Sequence, residues 1–157
     1  MVGTASANTM NGDDRWDTIQ GLDGNDSLYG LVGSDRLEGG AGADKLYGGD
    51  GDDVLIGGAG QDTLTGGAGA DLFIIGLGDG ANTIADFQDG VDHIDLSAFG
   101  GYSTISQLAA GAKITFADGS YVILTGVVST SLSAVDFIGL PSPIPAGPSK
   151  GEADWLL

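Results

Sequence analysis

The sequence predicts an all-β chain: a two-sheet parallel solenoid of nine-residue units, closed at its C-terminal end by a β-rich cap. Three observations predict it. A glycine returns every nine residues, at Gly3, Gly12, Gly21, Gly30, Gly39, Gly48, Gly57 and Gly66. An aspartate follows five places later, at Asp17, Asp26, Asp35, Asp44, Asp53, Asp62 and Asp71, with Asn8 in the slot before them. An apolar residue holds the eighth place of every unit: Met10, Ile19, Leu28, Leu37, Leu46, Leu55, Leu64 and Phe73. Eight units therefore span residues 3–74, and a fixed period of this length is the mark of a repeat architecture.

Each unit divides into a turn and a strand. Its first six residues, as in GGAGAD, are turn chemistry: glycine reaches φ > 0 and lets backbone come close to another group. The last three, as in KLY, read as a minimal strand with one inward side chain between two outward ones. A turn and three strand residues cannot bury their own apolar side chain, so units must stack. With two units per coil, each strand lies beside the strand two units on, in one of two parallel sheets. The sheets share a thin core of eighth-place side chains.

The period ends at Phe73. TIADF, HIDL, AKITF and SYVILTGV read as strands, with the ADG at 117–119 turning between the last two. STISQLAAG is expected to form a short helix capped by Ser103 and stopped by Gly111, and SLSAVDF a second. Residues 75–140 are read as a cap on the last strands of an otherwise open roll. One outer face runs Thr18/Gln20, Arg36/Glu38, Val54/Ile56, Leu72/Ile74, from polar to apolar, and the cap is expected to cover its apolar end. On the other outer face Tyr29 and Tyr47 fall one coil apart, which suits either a sugar platform or a stiffened sheet. PSPIPAGPSK is a stiff proline-rich spacer before the terminal EADWLL, so residues 141–157 form a third segment.

Composition narrows the function. Lys and Arg total 5 against 22 Asp and Glu, a formal charge of −17, which opposes binding to nucleic acid or an anionic membrane. The 41% hydrophobic content opposes a disordered acidic tail. With no cysteine there are no disulfides, so the chain needs another staple, such as a metal. No N-terminal signal peptide is read in MVGTASANTM, and no apolar run is long enough to insert in a membrane.

The charge pattern itself points to the staple. Aspartates 18 residues apart fall about one strand spacing, ~4.8 Å, from each other. Bare carboxylates repel there, and a hard cation between them reverses the sign. Calcium takes six to eight oxygens from carboxylates and carbonyls, whereas magnesium demands tight octahedral geometry and keeps its waters.

GGAGADKLY, GGDGDDVLI, GGAGQDTLT and GGAGADLFI match G-G-x-G-x-D-x-U-x at every fixed place. The chain thus resembles the RTX calcium-binding nonapeptide-repeat proteins. TIADFQDGVDHIDLSAFG is similar to the segment after the repeats in serralysin-type proteases, RTX lipases and the calcium modules of alginate epimerases. The resemblance implies a right-handed parallel β-roll with calcium in rows along both edges. It implies bridged pairs Asp26/Asp44, Asp35/Asp53, Asp44/Asp62 and Asp53/Asp71, with Asp17/Asp35 and Asn8/Asp26 as poorer ones, about six ions in all. Carbonyls of Gly40, Gly42, Gly49, Gly51, Gly58, Gly60, Gly67 and Gly69 would complete the ligand sets. Asp86 and Asp95 are implicated in closing terminal sites, while Asp89 and Asp92 are read as solvated strand-end acids. Arg15 replaces a turn glycine, and Leu22 and Leu31 replace the second glycine of their turns, so the N-terminal end is expected to be the less ordered and less metallated.

An acid followed by apolar residues at the C-terminus resembles the uncleaved signal of type I secretion, which implies export machinery as a partner and an extracellular location. His93, the one histidine, stands on an alternating strand facing water, and neither H-E-x-x-H nor G-x-S-x-G is present, so no catalytic residue is assigned. Two readings follow: a non-catalytic module that folds on calcium binding outside the cell, within a larger exported protein, or a calcium-dependent module for extracellular polysaccharide.

Overall fold

The computed structural model describes residues 1–99 and 104–139. The expected spacer and secretion tail lie outside them. Eight strands come from the repeats: β1 (Thr9–Asn11), β2 (Thr18–Asp23), β3 (Ser27–Val32), β4 (Arg36–Gly42), β5 (Lys45–Asp50), β6 (Val54–Gly60), β7 (Thr63–Ala68) and β8 (Leu72–Ile74). Six follow: β9 (Ala81–Ile84), β10 (His93–Asp95), β11 (Thr104–Leu108), β12 (Gly111–Thr115), β13 (Tyr121–Thr125) and β14 (Phe137–Ile138). Among the described residues there is no α-helix, only one 3₁₀ turn at Ala134–Asp136.

The chain is a parallel β-roll. Odd and even strands of β1 to β10 sort into separate sheets, ordered β1-β3-β5-β7-β9-β13-β12-β11 and β14-β10-β8-β6-β4-β2. Within the repeats each residue pairs in parallel with the one 18 further on, as in Leu28↔Leu46 and Leu37↔Leu55. That register puts the eighth-place residues of both sheets in the shared core. Ile19, Leu28, Leu37, Leu46, Leu55, Leu64 and Phe73 are all fully buried, and Met10 packs against them at the N-terminal end. A single apolar residue per unit is enough because the coils above and below it supply the rest of its surroundings.

The sheets do not stop at Ile74. Strand β9 pairs β7 with Leu64↔Ile84, and β10 pairs β8 with Phe73↔Ile94. The sequence offsets there are 20 and 21 rather than 18, and the extra residues bulge out in the turns, where Gly78 and Gly90 have positive φ and open space around them. Beyond β9 the first sheet turns antiparallel through the β13-β12-β11 meander, whose inward Val122, Leu124, Ile114 and Ile105 continue the core.

Three expectations are corrected. STISQLAAG does not form a helix: Thr104–Leu108 is strand β11, with Ile105 inward between outward Thr104 and Ser106, and Gly111 begins the next strand. Pairing with β12 overrides the weak helical spacing of its apolar residues. SLSAVDF yields only the 3₁₀ turn before β14. The C-terminal strands also extend the two sheets edgewise and do not lie over the outer face, where Val54, Ile56, Leu72 and Ile74 remain half-buried.

Candidate metal centres

The repeat aspartates form two rows, one on each edge of the roll, where the chain crosses between sheets. One row reads Asn8, Asp26, Asp44, Asp62, Asn82; the other reads Asp17, Asp35, Asp53, Asp71, Asp92. Each rung is tied to the next in the same way. The Asp26 N–H donates to Asp44 Oδ1 at 2.7 Å, that of Asp44 to Asp62 Oδ1 at 3.0 Å, and that of Asp62 to Asn82 Oδ1 at 2.9 Å. In the second row Asp17, Asp35, Asp53 and Asp71 donate to Asp35, Asp53, Asp71 and Asp92 at 2.6, 2.7, 2.9 and 3.0 Å.

In the six inner aspartate rungs one carboxylate oxygen is thus accounted for, and the other is not. Oδ2 of Asp26, Asp35, Asp44, Asp53, Asp62 and Asp71 is buried with no hydrogen-bond partner. A buried anionic oxygen without a partner is costly, and six in register are a repeated feature, not a local defect. Every one of them faces the first glycine of its own turn. A Cβ on Gly48 would overlap Asp53 Oδ2 and sit 2.5 Å from the Gly66 carbonyl oxygen. Only a hydrogen leaves the carboxylate room there.

The turn carbonyls point along the roll. Those of Gly40, Gly42, Gly49 and Gly51 occupy the space that a Cβ on Gly58, Gly60, Gly67 or Gly69, one coil further on, would need, and that of Gly60 does the same for Gly80. These second and fourth turn glycines have φ between +90° and +150°, a region that side chains resist. Leu22 and Leu31 also have positive φ, at 82° and 85°.

Electrostatics follow from the stacking. Burial pushes the Asp53 carboxyl up to about 7 and those of Asp62 and Asp71 up to about 6, and carboxylates of neighbouring rungs add to the rise. Burial raises Asp35, Asp44 and Asp92 as well. Among the described residues no three acidic or histidine side chains converge on a point. A cation held here would therefore take its oxygens from rung carboxylates and from backbone carbonyls. That donor set, all hard oxygen with unpartnered carboxylates, fits calcium.

The residues expected after the repeats are placed differently from one another. Asp86 accepts from the N–H groups of Gly66 and Gly67 with both oxygens, at 2.9 Å each, beside the last turn. Asp95 lies on β10, away from the rungs, and its carboxylate binds the Ser97 N–H at 2.8 Å. Asp92, read as a solvated acid, is 1% exposed and is a rung. So is Asn82, which the nine-residue period does not reach. A local signal marks both: Asn82-Thr83-Ile84 and Asp92-His93-Ile94 repeat the rung, spacer, inward-apolar order of Asp71-Leu72-Phe73. Asp86 and Asp95 lack it.

The geometry agrees with comparison to known proteins. A family model described as the RTX calcium-binding nonapeptide repeat (4 copies) matches residues 11–46, 38–73 and 47–84. No curated protein matches the chain by sequence. Among solved structures, the AlgE6R2 subunit of the Azotobacter vinelandii mannuronan C5-epimerase is similar at 27% identity and TM-score 0.58, over 92% of this chain and 95% of that one. The AlgE6R3 subunit of the same enzyme is similar at 26% identity and TM-score 0.55, over 96% of this chain and 86% of that one. A fainter likeness, 16% identity and TM-score 0.48, links 87% of this chain to 39% of the extracellular lipase LipA from Serratia marcescens. Matched by the family model across residues 11–84 and similar in fold to two epimerase subunits, the chain carries a β-roll of the RTX calcium-binding nonapeptide-repeat family.

Proposed function

We propose that this chain is a calcium-folded module of a larger exported protein, non-catalytic in itself, with a roll at residues 3–74, a capping extension at 75–140 and a spacer and secretion tail at 141–157. The observation that carries the reading is the set of six unpartnered buried carboxylate oxygens in two rows. Without a counter-charge those rows oppose stacking, so the step from coil to roll depends on what neutralises them. Calcium, when bound, supplies that positive charge and accepts the carboxylate and carbonyl oxygens. The rungs hold the carboxylates at the coil spacing, and the first glycine of each turn keeps the space beside each Oδ2 open. A preformed site does not exist in the unfolded chain, so metal binding is folding free energy. Extracellular calcium modules bind in roughly the 10⁻⁴–10⁻³ M range. The chain would then stay unfolded in a cell and fold outside it, and the tail ending Asp154 to Leu157 would address the export machinery.

The polysaccharide reading has less support. Tyr29 and Tyr47 stack on each other, with ring centroids 4.8 Å apart and planes 5° from parallel, so their facing surfaces are closed to a sugar ring.

Circular dichroism tests the folding half. In chelator the purified chain should show coil, and millimolar calcium should bring up the β signal in a cooperative step. Full β content in chelator at neutral pH would overturn the reading. Deleting residues 154–157 should abolish export by a cognate transporter while calcium-induced folding of the purified chain is kept.

A further inference from the structure

The two rows differ at their ends. The row on one edge is bounded by amides, Asn8 and Asn82. The row on the other is carboxylate throughout, from Asp17 to Asp92. An amide in a rung changes what the gap next to it can hold. The ladder bond from Asp62 fixes Asn82 Oδ1 as its acceptor, so the Asn82 amide nitrogen occupies the place where the other rungs carry Oδ2. That nitrogen is buried with no partner, in a residue 1% exposed. It offers two donors and no lone pair, and a hard cation has nothing to bind there.

Asn8 shows what an amide does at the other end of the same row. Its Nδ2 donates to Asp26 Oδ1 at 3.2 Å while its backbone N–H donates to the same oxygen at 2.7 Å. Hydrogen bonds take the place of a cation in that gap. Asp92 is the opposite case. Oδ1 accepts from Asp71 N–H at 3.0 Å and Oδ2 from Gln88 N–H at 2.8 Å, which leaves free lone pairs on a carboxylate one rung above the unpartnered Asp71 Oδ2.

We propose that the roll is metallated unequally, with four calcium positions in the gaps from Asp17 to Asp92 and two in the gaps from Asp26 to Asp62, because Asn8 and Asn82 close one row while Asp92 extends the other. This rests on the calcium reading above and goes beyond it. It adds a position between Asp71 and Asp92, removes the one between Asn8 and Asp26, and makes Asn82 the residue that ends its row.

Native mass spectrometry of the full chain in saturating calcium, with circular dichroism as a folding control, tests it. The wild type should hold six tightly bound ions, Asn82→Asp seven, and Asp92→Asn five. If the wild type binds no calcium, the calcium reading itself fails. If it binds calcium and both variants keep its count, the unequal metallation fails and the calcium reading stands. Should Asn82→Asp not fold, Asp92→Asn decides alone: loss of one ion supports the assignment, and an unchanged count overturns it.

Discussion

Within the repeats each aspartate rung is a pair of residues, the aspartate and the glycine five places before it. Gly48 does not sit at positive φ, so its reason is space: a Cβ there would overlap Asp53 Oδ2. Gly48→Ala is expected to destabilise the calcium-loaded roll by about 1–3 kcal/mol, as overpacking does, and to move the calcium midpoint upward. Leu22 and Leu31 present the reverse case. Both stand where later turns have a positive-φ glycine, and both are half-exposed. They are admissible only at the start of the roll. Pairing of β1 with β3 stops at Tyr29, so no ladder partner lies beneath Leu31, whereas a Cβ on Gly49 would run into the Leu31 carbonyl. The side chains still bear the left-handed strain, about 1–2 kcal/mol. Part of that relief is offset by about 0.5–1 kcal/mol of extra unfolded-chain entropy for glycine. Leu31→Gly and Leu22→Gly should therefore each stabilise the calcium-loaded protein by about 0.5–1 kcal/mol. A lowered thermal midpoint for both would show that their side chains, not their backbone, matter at these positions.

At the scale of elements, strands β1 to β8 are legible because each place in the unit has one residue type and one role. Leu46 fills the core, Asp44 makes the rung, and Gly40 makes the turn. Strands β9 and β10 are half-legible. Their apolar residues are visible, but their offsets of 20 and 21 hide that Asn82 and Asp92 continue the rows. Pairing is set by Ile84 and Ile94 seeking the core, and the loops take up the difference. Strand β11 is illegible because five residues of TISQL carry too little pattern to outweigh a helical spacing, and its partner β12 decides the matter. The C-terminal ends of both rows, Asn82 and Asp92, lie outside the strict repeats, so a fragment's boundary has consequences. A chain ending at Ile74 keeps every repeat unit but loses two rungs and exposes the edges of β7 and β8. Unpaired parallel edges template association. That fragment is expected to aggregate in calcium, while one ending at Gly139 stays monomeric with a sharp calcium transition, as read by size-exclusion chromatography and circular dichroism. A monomeric, cooperative 1–74 fragment would place the whole folding unit inside the repeats.

For the molecule as a whole, protons and calcium compete for the same oxygens, and their effects on folding have opposite pH slopes. In the metal-free roll, Asp53 titrates near 7 and Asp62 and Asp71 near 6, against 3.8 for the unperturbed group, with burial as the main cause. Between about pH 4 and pH 7 the folded state therefore holds protons that the unfolded chain releases. Stability without metal then falls as pH rises through that window and is greatest below it. Acidification also removes most of the −17 charge that opposes compaction. With calcium the slope reverses, because the oxygens must be deprotonated to act as ligands. In chelator, the β signal should grow as pH is lowered from 7.5 to 4.5. In parallel titrations the calcium midpoint should climb over the same range, most steeply between pH 7 and pH 5. Asp53→Asn should flatten both curves, since the residue with the highest carboxyl pKa no longer titrates while its rung hydrogen bond to the Asp35 N–H can be kept. A calcium midpoint that stays constant from pH 7.5 to 5 would mean that the buried rungs are not the ligands, and that the roll's charge is neutralised somewhere other than along its two edges.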